Sequence, residues 1–148
     1  QEPYGVKVEN TSGLSATLAS QINVDSSPSW STASGSLGTF FDSTRSGISV
    51  SATATDSDGD TIVYSVQSGS LPSGLSLNTS SGAITGTANA VGSDTTSSFT
   101  LRATANSKTA DRAFSIIVKQ PVTTAFSYTG ADQSFTVPTG LTSILDTL

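Results

Sequence analysis

The 148-residue chain has no cysteine, no methionine and no histidine, one tryptophan, and only 11% charged residues. Without cysteine there is no disulfide framework, so stability has to come from a buried core and from sheet hydrogen bonds. Zinc, haem and copper sites lose their usual ligands when these residue types are missing. Six Lys and Arg against eleven Asp and Glu leave a net charge of −5. That is the wrong sign for nucleic acid, whose phosphates need clustered cations. No apolar run approaches the roughly 20 residues of a membrane-spanning helix, and the first residues lack a signal-peptide pattern. The sequence opens on Gln1, as expected of a processed protein or of the ordered part of a longer one.

What the chain does have is hydroxyls. Ser and Thr make up roughly a third of it, far above ordinary usage. Its apolar residues are β-branched or aromatic and recur with period two, which a disordered polar tract would not show. Ile48, Val50, Ala52 and Ala54 form one such face, and Ile62, Tyr64 and Val66 another. Phe99, Leu101, Ala103 and Ala105 form a third, and Phe114, Ile116 and Val118 a fourth. Successive side chains of a strand point to opposite faces, so this period marks half-buried strands. Residues 37–41 read as a first strand, ended by the turn Asp42-Ser43-Thr44. Leu75 and Leu77 are expected to face Ile84 across a turn at Ser81-Gly82, and Asn106-Ser107-Lys108-Thr109 to close a hairpin. Short strands with turn residues between them and no helical period predict an all-β antiparallel β-sandwich.

The flanks are β-like as well. Residues 4–8 read as a strand ended by Glu9-Asn10-Thr11-Ser12-Gly13; residues 14–18 return as a hairpin partner or form an irregular arm. Residues 21–36 read as a linker, with Trp30 as an apolar plug at the mouth of the sandwich; core packing of its ring is the expected role, ahead of ligand stacking. Gln120-Pro121 breaks the last strand. Ala125-Phe126-Ser127-Tyr128 and Ser134-Phe135-Thr136-Val137 then flank Thr129-Gly130-Ala131-Asp132, a second hairpin signal. The expected organisation is an anchoring arm and linker over 1–29, the sandwich over 30–119, and a C-terminal hairpin and anchoring segment over 120–148. Phe126, Tyr128, Phe135, Leu141, Ile144 and Leu148 are the candidate subunit-interface residues, because a chain finishing on such residues needs burial in its own core, against a neighbour or in a continuing chain.

The densest charge is Asp56-Ser57-Asp58-Gly59-Asp60. Asp56, Asp58 and Asp60 at alternate positions have the chemistry for a hard cation, since Ca²⁺ takes about six to eight oxygens. An EF-hand reading fails, because loop position six would be Thr61 instead of Gly and position twelve Gln67 instead of Glu. Asp42, Asp94 and Asp111 are the distant candidates to complete a site. The competing reading is an exposed turn in which Asp side chains cap their own backbone and Gly59 supplies a positive φ. Any calcium binding is expected to be weak.

Catalytic patterns are not found. A serine nucleophile needs a base within reach, there is no histidine, and no Gly-x-Ser-x-Gly elbow occurs. The acids are gathered in one turn or scattered singly, so paired carboxylates across a cleft are not indicated. No Gly-rich phosphate loop followed by Lys is present. No enzymatic activity is expected. Asn10-Thr11-Ser12 and Asn78-Thr79-Ser80 match a glycosylation acceptor pattern, as chance matches do in a chain so rich in Ser and Thr.

These residues carry a family resemblance. Ala54-Thr55-Asp56-Ser57-Asp58-Gly59-Asp60 followed by Tyr64-Ser65 resembles the Asp-x-Asp-Gly turn of cadherin-like and immunoglobulin-like modules. Gly69-Ser70-Leu71-Pro72-Ser73-Gly74-Leu75-Ser76-Leu77, then Ser81-Gly82-Ala83-Ile84-Thr85-Gly86-Thr87, resembles the putative-Ig repeat of bacterial surface proteins and tailed-phage structural proteins. The stretch from Tyr4 to Gly13 is similar to the opening of some phage tail-associated proteins. That from Phe126 to Pro138 is similar to the lead-in of Gly-rich phage and bacterial surface domains, without the Gly-rich part. The resemblance implies an all-β, immunoglobulin-like antiparallel β-sandwich with extended N- and C-terminal β segments, in a non-catalytic structural protein of a phage virion, part of the capsid decoration, tail or fibre. Its implied partners are other virion proteins and copies of itself. The rival is an extracellular module of a bacterial surface adhesin that binds carbohydrate or a host receptor, with Trp30, Tyr64 or the acidic turn near the ligand.

Overall fold

The computed structural model describes residues 25–42 and 47–121, residues 130 and 134, and the backbone of two strands near the N-terminus. Those two strands, β1 (Tyr4–Glu9) and β2 (Ser15–Ser20), pair antiparallel as a separate two-stranded sheet, with Val6 opposite Leu18 and Lys7 opposite Thr17. The returning strand thus starts one residue later than its sequence pattern implied. Ser43 and Thr44 of the expected turn lie outside the described residues, as do the C-terminal hairpin expected over 125–137, apart from residues 130 and 134, and the six candidate interface residues.

The rest is a two-layer sandwich. Its strands are β3 (Ser29–Trp30), β4 (Gly35–Phe41), β5 (Ile48–Ser51), β6 (Ala54–Thr55), β7 (Ile62–Gly69), β8 (Leu75–Leu77), β9 (Ala83–Gly86), β10 (Thr95–Ala105) and β11 (Lys108–Lys119). One layer runs β4-β11-β10-β7 and the other β5-β9-β8, with β3 and β6 forming a two-stranded piece. All pairings are antiparallel except β4 on β11, which is parallel. Described residues form no helix long and apolar enough to cross a membrane.

The period-two faces become the core. Phe99, Leu101, Ala103 and Ala105 from β10 are buried, as are Phe114, Ile116 and Val118 from β11. Ile48 and Ile84 meet them from the second layer. Each fully buried large aliphatic side chain contributes about 1.5–3 kcal/mol relative to exposure, and Ile84, Leu101 and Ile116 are the largest with no measurable exposure. The aromatic residues form a chain through this core. Trp30 lies 5.3 Å from Phe114 and 5.8 Å from Tyr64 between ring centroids, and Phe114 lies 6.4 Å from Phe99.

Three expectations are corrected. The stretch holding Ile48, Val50, Ala52 and Ala54 is not one strand: β5 pairs with β9, the chain switches at Ala52-Thr53, and β6 pairs with β3. The switch is held by the Ala52 amide donating to the Gly82 carbonyl at 3.0 Å. Gly82 has φ +70°, and a Cβ there would lie 2.1 Å from the Ala52 oxygen, so only glycine fits. Secondly, 21–36 is not all linker, because Ser29–Trp30 is a strand and β4 begins at Gly35. Trp30 is core rather than a plug at the mouth: it is buried, and its Nε1 donates to the Ala110 carbonyl at 3.1 Å. Thirdly, Val66 stays 40% exposed, because β7 is an edge strand and the register slips between Thr100 and Leu101. That edge is partly closed: the Tyr64 amide donates to the Thr79 carbonyl in the β8–β9 turn at 2.7 Å.

Candidate functional site

The acidic turn joins β6 to β7, and its base is fastened by Tyr64. The phenol oxygen accepts from the Ala54 amide at 2.9 Å and donates to the Ala54 carbonyl at 3.4 Å. Asp56 closes the loop above. Its Oδ1 accepts from the amides of Asp58 at 3.0 Å and Asp60 at 3.2 Å, while Gly59 takes φ +83°. This is the self-capping turn that short acidic side chains favour.

The other two carboxylates are used outward. Asp58 Oδ2 accepts from the Ser26 amide at 2.7 Å, which ties the incoming chain to the turn. Asp60 Oδ2 accepts from Asn106 Nδ2 at 2.6 Å. Asn106 occupies the two-residue turn between β10 and β11 with φ +48°, a conformation that asparagine tolerates better than most residues. The Asp60 carboxyl is held above its ordinary value of 3.8 by desolvation, then by the charges of Asp56, Asp25 and Asp58. Four acids from two parts of the chain therefore share this end.

The cadherin-like resemblance of this turn implies calcium here, and the donor set does not fit it. Asp25 Oδ1 and Asp56 Oδ2 are buried without a partner, as ligand oxygens would be. Yet Asp56 Oδ1, Asp58 Oδ2 and Asp60 Oδ2 are turned to four different hydrogen-bond donors. Among the described residues no group of three or more Asp, Glu, His or Cys side chains is arranged to hold a metal ion. The distant acids do not help. Asp111 forms a two-pronged pair with Arg102, both bonds 2.8 Å, on the outer face of the four-stranded layer. That pairing holds the Asp111 carboxyl below 3.8.

Asp42 and Asp94 sit at the opposite end, where β11 finishes. Asp42 is only 3% exposed; its Oδ2 accepts from the Val91 amide at 3.0 Å, and its own amide donates to the Lys119 carbonyl at 3.1 Å. Asp94 accepts from the Gln120 amide at 3.2 Å and lies 3.9 Å from Lys119 Nζ. The sequence pass did not single out Asp25 or Asn106 for the acidic end. Asp25 is one acid in a serine-rich stretch, and only the fold brings it beside Asp60.

A concavity of about 520 Å³ lies on the outer face of the four-stranded layer. Ser34, Ser68, Ser98, Thr100, Ala113 and Ser115 line it with Gly35 and the edges of two Phe residues, and its lining includes no ionisable side chain. Asn78, in the second acceptor pattern, caps the β8–β9 turn by accepting from the Ser80 and Ser81 amides, both at 3.0 Å.

The Putative Ig domain family matches residues 31–119, more than half of the chain. The chain belongs to that family. No curated protein matches the sequence. Among solved structures it is similar to Drosophila N-cadherin EC1-3, with 14% identity and a TM-score of 0.55, over 72% of this chain and 41% of that one. It is also similar to the extracellular cadherin domains 1-5 of protocadherin Gamma B2, with 22% identity and a TM-score of 0.51, over 83% of this chain and 27% of that one. An endo-fucoidan hydrolase of glycoside hydrolase family 107 shows 19% identity and a TM-score of 0.51, over 64% of this chain and 14% of that one. The chain thus spans less than half of each of these proteins, and the likeness is one of fold. It is an Ig-like module.

Proposed function

We propose that this module is a non-catalytic, in-line spacer in a structural protein of a tailed-phage virion, as capsid decoration, tail or fibre. The observation that carries the spacer reading is the placement of the chain's two connections. The incoming segment is tied at Ser26 to the acidic turn beside the β10–β11 turn. The outgoing segment leaves at Lys119 and Gln120, beside Asp42 and Asp94. Between them runs the 12-residue β11, roughly 35–40 Å long at about 3.4 Å per residue. Tension on the two connections therefore acts along the strands.

The non-catalytic reading is supported by the outer-face trough, whose hydroxyls have no base beside them. The virion placement is supported by the resemblance of the two flanks to phage tail-associated and surface proteins. In this reading 30–119 is the sandwich, while 1–29 and 120–148 make contacts with other virion proteins and with further copies. Phe126, Tyr128, Phe135, Leu141, Ile144 and Leu148 supply apolar anchors, and strand addition at sheet edges supplies main-chain hydrogen bonds.

Peptide-coverage and intact-mass spectrometry on purified phage particles and, separately, on the bacterial envelope test the placement. Stoichiometric copurification with particles is expected. Recovery only in the envelope, inside a much larger chain, would make the module part of a bacterial surface adhesin instead.

A further inference from the structure

The trough on the outer face of the four-stranded layer is shaped by the sheet itself. Its lining crosses all four strands at one level. Gly35 of β4 lies opposite Phe114 of β11, Ala113 and Ser115 of β11 opposite Thr100 and Ser98 of β10, and Thr100 opposite Ser68 of β7. Both outer pairings slip beside this row, β10 on β7 between Thr100 and Leu101 and β11 on β4 between Ser115 and Ile117. A bulge bends the strand that carries it, and bends on both sides hollow the face between them. Three interstrand spacings of about 4.8 Å make the row roughly 14 Å long. Among the described residues, the hydroxyls of Ser34, Ser68, Ser98, Thr100 and Ser115 have no hydrogen-bond partner. By contrast the Thr32 hydroxyl meets that of Thr53, Ser36 accepts from the Gly38 amide, and Ser76 donates to the Thr85 carbonyl.

We propose that this trough binds a neutral oligosaccharide laid across the strands. The chemistry of the lining selects that ligand. Ser and Thr hydroxyls both donate and accept, which matches the hydroxyls of a sugar, and the row offers them from Ser34 beside β4 to Ser68 on β7. Ala113 and the edges of Phe99 and Phe114 lie among them, an apolar surface for the C–H groups of a sugar ring. No ionisable side chain lines the trough. Arg102 and Asp111, which follow Thr100 and precede Ala113 on the same face, are held to each other by two bonds of 2.8 Å. A charged ligand would therefore find no counter-charge. An extended peptide gains its affinity from main-chain bonds at a strand edge, and this row lies on a sheet face. An open row of hydroxyls binds weakly alone and is strengthened by avidity where copies are held side by side. The inference goes beyond the spacer reading and is independent of the virion placement, which the particle fractionation tests separately.

Amide NMR shifts of the full chain test it, in titrations with neutral oligosaccharides of glucose, galactose and mannose and with an oligosaccharide of uronic acid. At least one neutral sugar is expected to give saturable shifts in the millimolar range, centred on Ser68, Ser98, Thr100 and Ser115. Thr100→Val keeps the shape of the side chain without its hydroxyl and is expected to weaken binding about fivefold. Ser98→Ala, at an exposed position, is expected to do the same without touching the core. Thr104→Val, on the same face but outside the trough, is expected to bind like wild type. No saturation with any of the neutral sugars overturns the proposal, as does equal or tighter binding of the uronic acid oligosaccharide. Shifts centred on Trp30 or on residues 56–60 also overturn it and move the sugar away from the trough. Normal binding by both Thr100→Val and Ser98→Ala overturns it as well, because the hydroxyl row would then contribute nothing.

Discussion

The two ends of the sandwich use aspartate in opposite ways. At the incoming end Asp25, Asp56, Asp58 and Asp60 crowd together near solvent, and Asp56 and Asp58 accept bonds from backbone amides. At the outgoing end Asp42 is buried, holding the Val91 amide while its own amide meets the end of β11. A crowded, partly hydrated carboxylate carries repulsion that water and hydrogen bonds moderate, whereas a buried one is worth most as a partner that nothing can replace. Both ends fasten the chain where it joins the sandwich.

The comparison breaks most severely at the core that both ends share. Trp30→Ala removes the ring contacts to Tyr64 and Phe114 and the bond to Ala110. It is expected to cost about 3–5 kcal/mol in chemical denaturation, with the acidic end losing amide protection first in hydrogen exchange. Next comes the buried carboxylate: Asp42→Ala strands the Val91 amide and is expected to cost about 1–3 kcal/mol. At the other end Asp56→Ala frees the amides of Asp58 and Asp60, which water can then reach, and the expected loss is about 1 kcal/mol.

The smallest effect has the opposite sign. The folded pKa of Asp60 is raised above 3.8, so the folded chain binds that proton more tightly than the unfolded chain does. Its ionised form therefore opposes folding at neutral pH, and the strain is relieved as pH falls through the folded pKa toward 3.8. Asp111 works the other way: the stability from its Arg102 pairing is present above 3.8 and is lost as pH falls through its lowered folded pKa. Asp60→Asn is expected to raise the unfolding midpoint slightly at pH 7 and to remove the relief on the acid side. A midpoint that falls at pH 7 would mean that the Asn106 contact outweighs the repulsion.

How far the sequence could be read depended on whether a residue's role is local. The strands of the four-stranded layer were legible because Phe99–Ala105 and Phe114–Val118 keep strict alternation over a buried face. The self-capped turn was legible as one of two readings, since Asp56 reaches only its near neighbours. The switch at Ala52-Thr53 was hidden, because the alternation from Ile48 to Ala54 continues unbroken while the hydrogen-bond partner changes from β9 to β3. Trp30 was legible as core from its bulk, but its strand was not, because a two-residue strand has no period to detect. Asp25 and Asn106 join the acidic end only through contacts made across 46 residues of chain or by the return of the N-terminal segment, which no local pattern encodes.

Thermal unfolding in chelator and in excess calcium at pH 7 tests most directly whether the acidic end is a self-capped fastening. The account predicts the same midpoint in both, in wild type and in Asp60→Asn alike. A saturable rise with calcium that Asp60→Asn abolishes would contradict it, and would make this end a cation site.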